Sequence, residues 1–278
     1  MTPRTLRALR YVAPLREGGS LPAVVETDGG LFAVKFLGAG QGARALVAEL
    51  IVGGLAASLG LPIPEVALVT LAEGFGRAEP DPEIQDILRG SVGPNVGLAF
   101  LDGAFPYDPV ACEGLVDETL ASDIVWLDTL TTNVDRTARN PNLLVTTDGL
   151  HLMDHGAALY FHHDWPSVTE ERTVAPFRAI ADHVLLPLAS ALRERDAVLA
   201  GRLTDDVLRA IVGAVPDDLL MHTPQGREPA FDSPDGYRDA YLRWLRTRLG
   251  ARDAWLTAAV EARDARLAAA PTPLPYRR

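Results

Sequence analysis

The sequence predicts an α+β chain of two lobes. A small strand-rich lobe with one main helix spans residues 1–104, and a larger, mostly helical lobe spans 105–278. Three observations predict it. The first hundred residues alternate short β-branched and aromatic runs with glycine turns, interrupted by one apolar window of helical length. Beyond Phe105 the apolar residues recur at helical spacing, with arginine and aspartate on the outer face. A single hairpin signal, "LLVTTDGLHL", breaks the helical part. At 278 residues the chain is long enough to bury a substantial core in two lobes.

Taken in order, "YVAPL", "LPAVVET" and "LFAVKF" read as strands. "REGGS" joins the first pair, and Asp28-Gly29-Gly30 is the hairpin turn between the second pair. "GARALVAELIVGGLAASLG" reads as the helix, stopped at Gly60 ahead of Pro62 and Pro64. "EVALVTL" is another strand. Residues 73–96, rich in Gly, Pro and acid, read as a loop or surface insertion before the strand "VGLAFLDGA". "VDETLASDIVWLDTLTTN" is a helix, followed by a polar loop and the hairpin, and from about Val174 the chain reads as amphipathic helix.

Composition removes several function classes. A net charge of −11 with no basic stripe argues against a nucleic-acid partner. One cysteine, Cys112, excludes an internal disulfide framework and a thiolate metal site. "ALVAELIVGGLAASLGLPIP" carries Glu49 and ends in prolines, a poor membrane span. Arg4, Arg7 and Arg10 interrupt the start, with no apolar run of the signal-peptide kind, so a cytoplasmic protein is expected.

Lys35 is the one lysine among 26 basic residues, and it stands inside an apolar strand. A buried ammonium must be paired or bound to an anion. Between Asp28 and Glu65 the only acid is Glu49, in the apolar helix that follows, so the two suggest each other as partners. The competing reading is an edge lysine snorkelling to solvent and a glutamate on a solvated helix face. Arginine serves wherever any positive charge will do, whereas a compact point charge on phosphate oxygens is a role for lysine. Gly38 to Ala43 also satisfies the dinucleotide pattern G-x-G-x-x-[G/A]. That pattern expects an acid at the end of the next strand, and Glu65 comes instead at a strand's start. A glycine turn is the better reading.

The stretch "TNVDRTARNPNLLVTTDGLHLMDHG" gathers three of the four asparagines, Asn133, Asn140 and Asn142, with Asp135 and Asp154. Carboxylates and carboxamides around one hairpin are hard oxygen ligands that suit Mg²⁺ with nucleotide phosphates. An aspartate in the preceding loop can orient or deprotonate a hydroxyl. The bland alternative makes "NPN" and "TDG" turn residues only.

These residues resemble, in order, the kinase signature of strand lysine, helix glutamate, Asp-loop-Asn and Asp-x-Gly. "FAVKF" looks like the lysine strand and "MDHG" like the metal-binding element. The Asp-Arg pair with downstream asparagines is similar to that of HipA-like serine/threonine kinases and of phosphatidylinositol kinases. The resemblance implies a two-lobed protein-kinase-like fold that moves the γ-phosphoryl of ATP, with Mg²⁺, to a hydroxyl acceptor, most simply a protein serine or threonine. Other acceptors it leaves open are a small molecule or lipid headgroup, and a nucleotide-binding pseudokinase scaffold is the non-enzymatic alternative.

It implies that Lys35 holds the α/β-phosphates and Glu49 holds Lys35. Gly18 and Gly19 lie in a loop over the phosphates, and Leu98, Ala99, Phe100 and Leu101 form the hinge that receives adenine. Asp135 is the base, with Asp154 and one asparagine on Mg²⁺. Arg136 either steadies the loop, neutralises phosphate charge or makes an ordinary salt bridge, and His162 and His163 are expected at the surface or cleft. Spacing favours Asn140 as the metal asparagine, five residues after Asp135. Geometry favours Asn142. With Asp148-Gly149 at the hairpin tip, Thr147 pairs with Leu150, Leu143 faces Asp154 and Asn142 faces His155.

Overall fold

A computed structural model describes residues 2–15, 21–223 and 228–269. Strands β1 (Arg4–Pro14), β2 (Ala23–Thr27) and β3 (Gly30–Lys35) precede helix α1 (Gly42–Leu59). Strand β4 (Val66–Leu71), helix α2 (Pro82–Arg89) and strand β5 (Gly93–Ala99) follow. The strands close into a barrel in the order β1-β2-β3-β5-β4. Alternation along β3 explains how the barrel and the lysine coexist. Phe32 and Val34 point into the barrel core with Val25, Val69 and Leu71, while Lys35 leaves on the opposite face.

β3 is antiparallel to both its neighbours, and β4 pairs elsewhere. The strand–helix–strand unit around Gly38–Ala43 is therefore not the parallel crossover that a dinucleotide fold requires. The stretch 73–96 is not simply a loop. Asp81 caps α2 by accepting from the Glu83 N–H, with Pro82 at the first helical position, and Ile84 and Leu88 cover the barrel core. That Asp-Pro start was present in the sequence but was outweighed by the surrounding Gly and Pro.

α1 is apolar on all sides, and 72% of it is buried. It alone among the described helices is long and apolar enough to cross a membrane, yet its surface is spent on the protein's own core. Leu46, Ile51 and Leu55 belong to one hydrophobic cluster with Trp126, Ile211, Tyr241 and Trp255 from the helical part. Gly60, at φ 75°, ends the helix and donates its N–H back to Ala56 and Ala57.

The C-terminal part is mostly helical. A two-residue strand β6 (Phe105–Pro106) leads to α3 (Glu118–Thr131), capped by Asp117. The hairpin β7 (Leu143–Thr146) and β8 (Gly149–Leu152) then pairs with β6. Short turns and helices α4 (Glu170–Val174), α5 (Leu192–Arg202), α6 (Asp205–Gly213), α7 (Asp217–Met221), α8 (Pro234–Gly250) and α9 (Arg252–Ala269) complete the described chain. Arg248 of α8 is buried and donates to the Thr129 and Leu130 carbonyls, a cation placed on the C-terminal end of α3. That contact fixes the helix end from which the loop carrying Asp135 departs.

The hairpin register differs from expectation by two. Thr146 pairs with Gly149 and Leu143 with Leu152, so Thr147-Asp148 is the tip. The Thr146 hydroxyl accepts the Asp148 N–H, turning the chain one residue earlier than a turn centred on Asp148-Gly149. Asn142 consequently lies opposite Met153, whose N–H it accepts at 2.9 Å, rather than opposite His155.

Candidate active site

β3 and α1 bring Lys35 and Glu49 together in the interior. Lys35 Nζ donates to Glu49 Oε1, and to Asp154 Oδ1 at 2.5 Å. Asp154 arrives from just beyond β8, with φ 51°, and its Oδ1 also accepts the Gly156 N–H at 3.2 Å. Glu49 is fully buried and its Oε2 has no partner among the described residues.

The electrostatics follow from one ammonium shared by two carboxylates. Burial alone would lower the Lys35 pKa, but Glu49 and then Asp154 outweigh it and raise it, so the lysine is charged. Burial pushes the Glu49 carboxyl up to about 7, with Lys35 opposing and the Asp154 charge adding to the rise. Asp154, also opposed by burial, is held below the usual carboxylate range by Lys35.

Asp135 stands at the start of the loop after α3. It accepts from Asn140 Nδ2 at 2.9 Å and Asn142 Nδ2 at 3.2 Å, both on Oδ2. Asn140 lies beyond Pro141 but does curl back, with its carbonyl accepting the Thr137 N–H. Both asparagines therefore reach the aspartate. With their amide nitrogens turned to Asp135, both carboxamide oxygens remain as acceptors.

Lys35, Asp135, Asn140, Asn142 and Asp154 line one cavity of about 740 Å³. Leu98, Ala99, Phe100 and Leu101, from the end of β5, line it too, with Ala33 beside Lys35 on the same face of β3. The walls thus combine an apolar stretch with a set of charged and amide groups, as a site for a base joined to an anionic tail requires. Gly18 and Gly19 lie outside the described residues.

Sequence reasoning left the role of Arg136 open and missed what it is built into. Arg136 is buried, and its Nε donates to Asp128 Oδ2 at 2.6 Å. Its Nη1 reaches the carbonyls of Asn142 at 2.5 Å and Met153 at 3.3 Å, and its Nη2 reaches His155 Nδ1 at 3.3 Å. Asp128 also accepts from His183 Nε2 at 2.9 Å and from Asn133 Nδ2 at 3.0 Å. Burial would raise Asp128, but Arg136 and His183 hold it far below the usual carboxylate range. The signal available in sequence was an aspartate on an otherwise apolar helix face, one turn before the loop.

His162 corrects the surface expectation. It is buried with Nδ1 3.0 Å from the Tyr241 hydroxyl, inside an aromatic cluster that includes Phe161 and Trp165. His163 is exposed.

The model of one family, described as HipA-like kinase, matches residues 14–232, most of the chain. The chain belongs to the HipA-like kinase family. This kinase matches no curated protein. Among solved structures, it is similar to that of a Helicobacter pylori proinflammatory kinase, CtkA. The TM-score is 0.54 at 14% identity, over 86% of this chain and 94% of that one. At that identity the likeness is one of fold, and it places a strand-rich N-terminal part and a helical C-terminal part in a kinase arrangement.

Proposed function

We propose that this kinase transfers the γ-phosphoryl group of ATP to a hydroxyl, with a protein serine or threonine as acceptor. The observation that carries the reading is the Lys35 bridge to Glu49 and Asp154 in the same cavity as Asp135. Glu49 and Asp154 occupy two of the three N–H donors of Lys35, which leaves one for an anionic ligand. Residues 1–104 supply the adenine wall at Leu98–Leu101 and the phosphate lysine, and residues 105–278 supply the base and the metal ligands.

The donor set fits Mg²⁺. Asp154 offers a carboxylate, and Asn140 and Asn142 offer carboxamide oxygens in the same cavity. No cluster of three or more His, Cys, Asp or Glu stands among the described residues as an all-protein cage. Mg²⁺ bound with nucleotide needs only one or two carboxylates and keeps the phosphates and water as its other ligands. When bound, it neutralises charge on the phosphate oxygens. Asp135 is the group that orients the acceptor hydroxyl and takes its proton, on Oδ1, since both amides land on Oδ2.

The buried free thiol, Cys112, suits the cytoplasm, where ATP is supplied. With a net charge of −11, no nucleic-acid partner is proposed. Calorimetric titration with ATP, with and without Mg²⁺, and with NAD as the control, tests the reading. ATP binding that strengthens with Mg²⁺ is expected, and a preference for NAD would refute it.

A further inference from the structure

Asp128 lies outside the cavity, on α3, and takes no part in the chemistry described above. Its two oxygens nonetheless lead to the two halves of the site. From Oδ1 the path runs to Asn133 Nδ2 at 3.0 Å, and from Asn133 Oδ1 to the N–H of Asp135 at 3.1 Å. From Oδ2 it runs to Arg136, whose guanidinium holds the carbonyls of Asn142 and Met153, the residues at the open end of the hairpin. Met153 is the residue before Asp154. His183, which also bonds Oδ2, accepts the Leu185 N–H on its other ring nitrogen and so presents a donor to Asp128. The backbone of that segment is tied to the same loop, with the Val184 N–H donated to the Arg136 carbonyl.

Asp128, Asn133, Arg136 and His183 are all buried, and the donors and acceptors named here are matched. A buried polar network of this kind fixes one arrangement of the groups attached to it, because each broken bond leaves an unpaired group in a low dielectric. We infer that Asp128 is the positioning residue of the site, setting the base through Asn133 and the metal-ligand segment through Arg136. The inference rests on the proposed kinase reading and adds that the two halves are held by separable arms. A planar guanidinium is needed on the second arm, because one group must reach a carboxylate, two carbonyls and an imidazole at once.

The separation gives the test. Asp128→Ala would strand the Arg136 charge in the interior, so the arms are cut one at a time, with Asn133→Ala and Arg136→Lys. Mg²⁺-dependent ATP affinity, turnover of the Mg²⁺-loaded enzyme and the melting temperature are measured on the full chain. Asn133→Ala is expected to lower turnover roughly tenfold or more by loosening Asp135, with Mg²⁺-dependent ATP affinity unchanged. Arg136→Lys is expected to weaken that affinity roughly tenfold to a hundredfold, as loss of the groups behind a metal ligand does. Loss of both properties together, in proportion to lost melting temperature in each variant, overturns the inference, as does no change in either. If the unaltered protein binds no ATP with Mg²⁺, the kinase reading falls and takes the inference with it. Normal binding by the unaltered protein and both variants overturns the inference alone.

Discussion

Lys35→Met removes the one ammonium that two carboxylates share. Glu49 is fully buried, with one oxygen unpartnered among the described residues, and Asp154 is partly buried. Breaking a buried ion pair from one side costs about 3–5 kcal/mol, because the remaining charge is left uncompensated. That is a large part of the roughly 5–15 kcal/mol that holds a typical domain folded. Both carboxylates touch the same nitrogen, so their charge centres lie roughly 5 Å apart, where like charges repel by about 3 kcal/mol at an effective dielectric near 20.

Asp154→Asn should therefore act differently in the two backgrounds. In the lysine-free protein it should recover up to about 3 kcal/mol where Glu49, no longer held down by Lys35, is ionised, by relieving that repulsion. In the parent it loses a charge-assisted hydrogen bond of roughly 1.5–3 kcal/mol and relieves a similar repulsion, so stability should hardly change. The pH dependence has a fixed sign. The Glu49 carboxyl is raised to about 7, above its value in the unfolded chain, so its ionisation works increasingly against the fold as pH rises through that range. Neutral Glu49 needs no cation, so the Lys35→Met deficit should shrink as pH falls below 7. Urea unfolding of the four proteins at pH 9 and pH 6 measures all of this. A Lys35→Met deficit under about 1 kcal/mol, or one indifferent to pH and to Asp154→Asn, would refute the shared-cation account.

Three further outcomes are expected. Asp135→Ala should keep Mg²⁺-dependent ATP affinity while turnover falls roughly 10²–10⁴-fold, as loss of a general base does; equal loss of both in a binding and turnover assay would contradict its assignment. Asn142→Ala should raise the Mg²⁺ concentration needed at fixed ATP more than Asn140→Ala does, since Asn142 pairs with the residue before Asp154; the reverse order would make Asn140 the ligand. His162 is held neutral by burial, and then by His163 and Arg44, well below its ordinary 6.5. Its contribution to stability is thus present above pH 6.5 and lost below it, by up to about 1.4 kcal/mol per pH unit. The fall in melting temperature between pH 6.5 and 5 should flatten in His162→Gln, and an unchanged slope would place the acid sensitivity elsewhere.

The parts legible in the sequence were those set by local chemistry. Lys35 and Glu49 found each other because each was alone in an apolar run, and the interior offers such charges few partners. Gly60 ended α1 because the left-handed conformation there favours glycine. Other parts depend on tertiary geometry that spacing does not encode. The hairpin tip is set where the Thr146 hydroxyl accepts the Asp148 N–H, one residue before the Asp148-Gly149 turn that the sequence suggests. Because the resulting shift is two residues, each strand keeps its faces while Asn142 gains a different partner. Arg136 and Asp128 are eight residues apart, and His183 comes from a distant turn, so no local pattern joins them. His162 read as surface or cleft because its burial depends on a ring some eighty residues later, Tyr241, while Trp244 stacks on the neighbouring Phe161.

Phosphoryl transfer to a hydroxyl is the reaction proposed for this kinase. The most direct measurement is incubation of the protein with γ-labelled ATP and Mg²⁺, alone and with candidate protein acceptors, followed by mass spectrometry of the labelled residues. Label is expected on serine or threonine hydroxyls, dependent on Mg²⁺ and absent from Asp135→Ala. Tight Mg²⁺-dependent ATP binding with no label on any protein acceptor, or label undiminished in Asp135→Ala, would contradict it.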